Sequence, residues 1–190
     1  MNVREFIKEI NVTYPDIDKN EVASDDLIHQ KEMNLGFPLP DSFKTLLKEF
    51  SNGIFLLDSE PIGGVGDNED SPCGAIFLAS SQIKKNIVEL TPTKETVSSD
   101  KLIVFSLYDA LDTANNCWAF ICDKRYPNNE YRVGLISQST EDIVVILENF
   151  EEWLTVFWSA NKDNEDVISV FHSMYPEWED REDLLRPGWR

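Results

Sequence analysis

A chain of 190 residues with 42% hydrophobic and 11% aromatic content can bury a core without disulfides or metal, but is cramped for two full domains. Its 35 Asp and Glu against 17 Lys and Arg give a formal net charge of -18. That surplus argues against direct binding of nucleic-acid phosphates or an anionic membrane surface, whereas it aids solubility and attracts a basic protein.

At the N-terminus Val3, Phe6, Ile7 and Ile10 fall on one helical face, which predicts a short opening helix ending before Tyr14-Pro15. The charges between them, Arg4, Glu5, Lys8 and Glu9, leave no continuous apolar stretch for a signal peptide. No apolar run in the chain reaches the length of a membrane span. Three cysteines, Cys73, Cys117 and Cys122, lack the spacing of a disulfide framework. Together these features predict a cytoplasmic protein with reduced thiols, in which the Asn11-Val12-Thr13 sequon is accidental.

A second helix is expected from Ser24, a capping hydroxyl, through Leu27 and Ile28 to Gly36. The third has the clearest signals: Pro40 and Asp41 open it, Phe43, Leu46, Leu47 and Phe50 form its apolar stripe, and Asn52-Gly53 closes it. From Ile54 the period shortens, predicting hairpin strands at Ile54 to Leu57, Ile62 to Val65 and Ala75 to Leu78. Ser80 is positioned to cap a helix carrying Ile83, Ile87 and Leu90, followed by a polar loop from Thr91 to Asp100. Further strands are expected at Leu102 to Leu107, Cys117 to Asp123, Arg132 to Ser137 and Ile143 to Leu147.

Asn149 and Glu152 have the spacing of a capping box, and Phe150, Leu154 and Phe157 form the stripe of a closing helix. The layout predicts one domain over residues 1–160, with an acidic extension over 161–190. That extension is expected to be part helical, because Val167, Ile168, Val170, Phe171, Trp178 and Trp189 exceed what a purely disordered tail carries. Phe43, Leu46, Leu47, Phe50, Trp118, Phe120, Leu154 and Phe157 should share one core, since each sits on the apolar stripe of its own element.

Candidate chemistry is sparse. His29 and His172 lie in separate elements with no reason to converge. Cys117 and Cys122 sit five apart on one strand and so point to opposite faces, which suits buried small hydrophobes better than joint metal ligands. Gly63-Gly64-Val65-Gly66 lacks the Lys-Ser or Lys-Thr of a phosphate loop, and Asp67, Glu69 and Asp70 would repel phosphate, so a glycine-rich hairpin is the better reading. That acidic cluster also lacks the pattern of a calcium loop. No serine has the glycine neighbours of a nucleophile elbow. No catalytic, cofactor-binding or metal-binding set emerges.

The segment Leu35-Gly36-Phe37-Pro38-Leu39-Pro40-Asp41-Ser42-Phe43, with Leu46-Leu47 and Phe50-Ser51-Asn52-Gly53, resembles the signature of the SUKH superfamily, the family of the yeast cell-wall-assembly (glucan synthesis) regulators. Ile62-Gly63, Leu102 to Phe105, Cys117-Trp118-Ala119-Phe120 and Phe150-Glu151-Glu152-Trp153-Leu154 are similar to its later elements, so the resemblance covers roughly residues 21–160. The chain departs from the pattern at Asp112-Thr113-Ala114-Asn115-Asn116, where the family has a Gly-Asp turn.

The resemblance implies an α+β domain: a mainly antiparallel sheet, N-terminal helices, a closing C-terminal helix and no catalytic set. It further implies a protein partner. Bacterial members commonly act as immunity proteins that neutralise a cognate toxin, often a nuclease, while the fungal role implies a regulatory adaptor in signalling or cell-wall synthesis. An acidic inhibitor suits a basic toxin. The carboxylates expected to meet it, on predicted loops, are Asp67, Glu69, Asp70, Asp109 and Asp112.

Overall fold

The computed structural model describes residues 1–56, 60–67, 71–107, 116–137 and 139–162, with Ser173 in isolation. Helix α1 (Val3–Thr13) begins in a capping box: the Asn2 side chain accepts from the Glu5 N–H at 3.0 Å, and the Glu5 carboxylate accepts from the Asn2 N–H at 2.9 Å. Helix α2 (Asp25–Leu35) is capped by Ser24 and ended by Gly36 in the left-handed region at φ 79°, as its sequence predicts. Helix α3 (Asp41–Glu49) follows Pro40, which has no side chain able to cap it. Helix α4 (Phe150–Lys162) starts at Asn149, whose carboxamide accepts from the Glu152 N–H at 2.9 Å. The reciprocal half of that box is displaced by one residue, because the Glu152 carboxylate accepts from the N–H of Glu148 instead.

Two strands, β1 (Ile54–Leu56) and β2 (Glu60–Ile62), form a small hairpin. The main sheet contains β3 (Phe77–Leu78), β4 (Ile87–Leu90), β5 (Glu95–Ser98), β6 (Leu102–Leu107), β7 (Cys117–Tyr126), β8 (Glu130–Ile136) and β9 (Ile143–Leu147). Its order is β3-β6-β7-β8-β9-β4-β5, antiparallel except where β4 runs parallel to β9. The molecule is therefore α+β, with a curled, mostly antiparallel sheet and a C-terminal helix.

The interior strand β7 is buried on both faces over Cys117 to Cys122. Trp118, Phe120 and Cys122 join the helix-side core, while Cys117, Ala119 and Ile121 pack into a second apolar layer on the other side. All eight residues expected to share a core do so on the helix side. At the centre of that core Phe43 from α3 meets Phe105, Phe120 and Phe150.

The glycine-rich segment packs as close backbone rather than as a regular strand. β2 stops at Ile62; Gly63 then donates to the carbonyl of Phe105, at a bulge in β6, and Gly64 and Gly66 donate to Pro72 and Cys73. Gly53, at φ 82°, faces the same segment, and a Cβ there would lie 2.0 Å from the Pro72 carbonyl oxygen. The strand expected at 62–65 instead lies at Glu60–Ile62, overlapping it only at Ile62, and the one expected at 75–78 shortens to Phe77–Leu78.

Residues 80–100 overturn two expectations. No α-helix starts at Ser80; a single 3-10 turn spans Ala79–Ser81, and Ile87–Leu90 is strand β4. Ile83, Ile87 and Leu90 match a helical stripe, but the burial has period two, with Val88 and Leu90 inside and Ile87 outside. The approach to this strand is held from the β8–β9 turn. There the Glu141 carboxylate accepts from the N–H groups of Lys84 and Lys85, and the Asp142 carboxylate from that of Glu89. The expected polar loop at 91–100 likewise contains strand β5, paired with β4 around a turn in which Lys94 has φ 62°.

Candidate functional site

Pro40 leaves the first turn of α3 without a local cap, and the cap arrives from the start of β8. The Glu130 carboxylate accepts from the Ser42 N–H at 2.9 Å and from the Ser42 hydroxyl at 2.7 Å. Such a placement satisfies exposed amides and sets a negative charge at the positive end of the helix dipole. The turn before β8 makes it possible, since Asn128 and Asn129 both take left-handed φ, at 63° and 58°, which asparagine tolerates. Asn129 then donates to the Asp41 carboxylate at 2.7 Å, and Lys44 pairs with Asp41 at 2.9 Å. On the other side Glu151, in the first turn of α4, accepts from the Val3 N–H at the start of α1 at 3.0 Å.

These elements enclose an open cleft of about 790 Å³ between the start of α3, the β7–β8 turn and the β9–α4 connection. Among the described residues four carboxylates line it, from Asp41, Glu130, Glu148 and Glu151, with Tyr126, Pro127 and Ile146 supplying apolar surface. The one cationic side chain among its described lining residues, Arg132, is held by Glu95 at 2.9 Å and Asp123 at 3.1 Å. A second hollow of about 470 Å³ shares Ser42, Thr45 and Glu151 and reaches Arg4 and Lys8 on α1.

Burial pushes the Glu130 carboxyl above the usual glutamate range; the Ser42 hydrogen bonds oppose this, and the charges of Glu151 and Asp41 add to it. Asp41 goes the other way. Burial alone would raise it, but the bonds from Asn129 and Lys44 hold it below the usual range.

Because the folded value of Glu130 lies above the unfolded one, the folded state binds the proton more tightly. The stability this group contributes is full below the ordinary glutamate pKa and is lost as pH rises through the raised folded value. Glu130→Gln should remove that loss. Denaturant midpoints between about pH 4 and 7 should therefore fall with rising pH in the wild type relative to the variant; a constant difference between the two proteins would contradict it.

Of the carboxylates expected to meet a partner, Asp67 is exposed, while Glu69, Asp70, Asp109 and Asp112 lie outside the described residues. His29 is exposed on α2, and His172 and most of the extension over 161–190 also lie outside them. Cys117 and Cys122 point into opposite apolar layers, as strand spacing requires. Burial pushes the Cys117 thiol up to about 12 and raises that of Cys122, with the charge of Asp123 adding to the latter, so both are poor nucleophiles at neutral pH. Among the described residues no group of three or more His, Cys, Asp or Glu side chains is arranged to hold a metal ion, and no helix is long and apolar enough to cross a membrane.

The cleft itself was not found by reading the sequence, because its walls come from three distant segments. One signal did exist: a helix opened by Pro40, which cannot cap it through a side chain, needs a cap from elsewhere in the fold.

A comparison with curated proteins gives no match. The model of the SMI1 / KNR4 family (SUKH-1) matches residues 22–156, a span that includes α2, α3, both sheets and the first half of α4. It also contains every residue lining the larger cleft. With well over half its length matched, the chain belongs to the SMI1 / KNR4 family (SUKH-1).

Proposed function

We propose that this chain is a non-catalytic protein-binding domain acting in the cytoplasm as an immunity protein, which neutralises a basic toxin by direct, stoichiometric contact. The observation that carries the reading is the acid-lined cleft on a chain of net charge -18: among the described residues four carboxylates line it, Asp41 paired with Lys44 and the other three facing an arginine that Glu95 and Asp123 already pair. Complementary charge speeds encounter and disfavours acidic competitors. A carboxylate surface also suits the phosphate-binding face of a nuclease. Membership of the family supports a binding role. Asp67, Glu69, Asp70, Asp109 and Asp112 remain proposed contributors to the same negative field.

The test is growth rescue. Where a toxin domain is encoded beside this gene, cells expressing it should survive when the full chain is co-expressed, and the two proteins should co-purify in equal amounts. Undiminished killing, with no complex formed, would reject immunity to that toxin and favour an adaptor role.

A further inference from the structure

We infer that the cleft between α3, the β7–β8 turn and the β9–α4 connection is a docking groove for an extended partner segment bearing arginine or lysine beside an apolar side chain. The inference deepens the proposed function and rests on its claim of a basic protein partner. Charge complementarity is the first argument. Arg132 already serves Glu95 and Asp123, and Lys44 pairs with Asp41, so the uncompensated negative charge of the cleft rests on Glu130, Glu148 and Glu151.

Preorganisation is the second. Glu130 and Glu151 are fixed by the helix N–H groups they accept from, at 2.9 and 3.0 Å, so a cationic side chain would meet carboxylates that have little freedom left to lose. The electrostatics agree, because Glu151 and Asp41 each make ionisation of Glu130 harder, and a partner's cation would relieve that repulsion.

The shape and lining select the kind of ligand. These carboxylates are not arranged to hold a metal ion, and Ile146, Pro127 and Tyr126 offer apolar contact between the charged walls. The cleft meets the smaller hollow at Ser42, Thr45 and Glu151, giving a path longer than one side chain would fill. Charge also changes along that path. Its far end carries Lys8 and Glu5 with Arg4, which Glu49 already pairs at 2.7 Å, whereas the larger cleft adds Glu148 and Glu130 to Glu151, so the partner's cations belong in the larger cleft.

The probe is the short peptide acetyl-Arg-Leu-Arg-amide, titrated into the ¹⁵N-labelled full chain. Saturable amide shifts should centre on Ser42, Thr45, Asn149 and Glu151, and Glu148→Lys should weaken binding by roughly tenfold or more. Glu148 is exposed, so this variant should melt like the wild type. Glu151→Gln, which keeps an oxygen to accept from Val3, provides a second and milder variant. Shifts centred on Asp67, shifts scattered over all exposed carboxylates, or equal binding by Glu148→Lys would overturn the groove.

A toxin domain encoded beside the gene separates this failure from failure of the proposed function. Equal toxin affinity for wild type and Glu148→Lys rejects the groove but leaves immunity standing. A mapped, Glu148-dependent peptide site without toxin binding rejects immunity and keeps the groove.

Discussion

Replacing Phe43 by alanine should cost about 3–5 kcal/mol of folding stability, the range for truncating a fully enclosed aromatic side chain. Phe43 is 0% exposed, and its ring centroid lies 5.9 Å from that of Phe105, 5.2 Å from Phe120 and 5.1 Å from Phe150. Those partners come from β6, β7 and α4, so a cavity here would lie where helix α3 meets both the sheet and the closing helix. The neighbouring rings cannot easily collapse into it. Phe105 and Phe120 stack at 4.4 Å, Phe150 stacks on Trp153 at 5.7 Å, and Trp153 stacks on Phe157 at 5.0 Å. At roughly 2–4 °C per kcal/mol for a chain of this size, the melting temperature should fall by about 10 °C. Equilibrium unfolding in denaturant measures the loss, and a value under about 1 kcal/mol would show that α3 does not anchor this core.

Association with the toxin should slow steeply as salt rises. A net charge of -18 steers a basic partner toward the domain, and such steering raises association rates by about 10- to 1,000-fold before screening removes most of it. Dissociation should change less, because it reports the close contacts made after docking. Neutralising Asp67, Glu69 and Asp70 together should lower the association rate through the long-range field, whereas Glu148→Lys should also speed dissociation if the groove holds the partner's cations. Asp67 is exposed and its neutralisation should leave stability nearly unchanged. Surface-based kinetics at low and physiological salt would measure these effects, and a salt-independent association rate would contradict them.

Local signals in the sequence were most informative where they agreed with one another. Ser24 and Gly36 bracket α2, the apolar stripe of α3 fits its burial, and the run from Cys117 to Cys122 reads as a strand buried on both faces. At residues 83–90 they conflicted. Ile83, Ile87 and Leu90 fit a helical period, but the backbone of Lys84, Lys85 and Glu89 is held by Glu141 and Asp142, two residues from a distant turn. Pairing of β4 with β9 and β5 then decides the segment. Strand partners far along the chain override a local period, and no local pattern announces them.

The candidate site was legible only as a class. Composition pointed to a basic partner, but clustered loop carboxylates drew attention to Asp67, Glu69 and Asp70, while the cleft depends on single carboxylates spread among separate elements. Glu130 lies in an unremarkable strand start, and Glu151 reads as an ordinary first-turn acid of α4. Their meaning comes from the helix N-termini they reach, Ser42 on α3 and Val3 on α1, and those approaches exist only in the folded chain.

The central claim is that this SUKH-1 domain works by binding a basic protein. Calorimetric titration of the full chain against a toxin domain encoded beside its gene tests it most directly. The account predicts a one-to-one complex that weakens with salt and abolishes the toxin's activity at equivalence; no binding at low salt, with the toxin fully active beside excess protein, would contradict it.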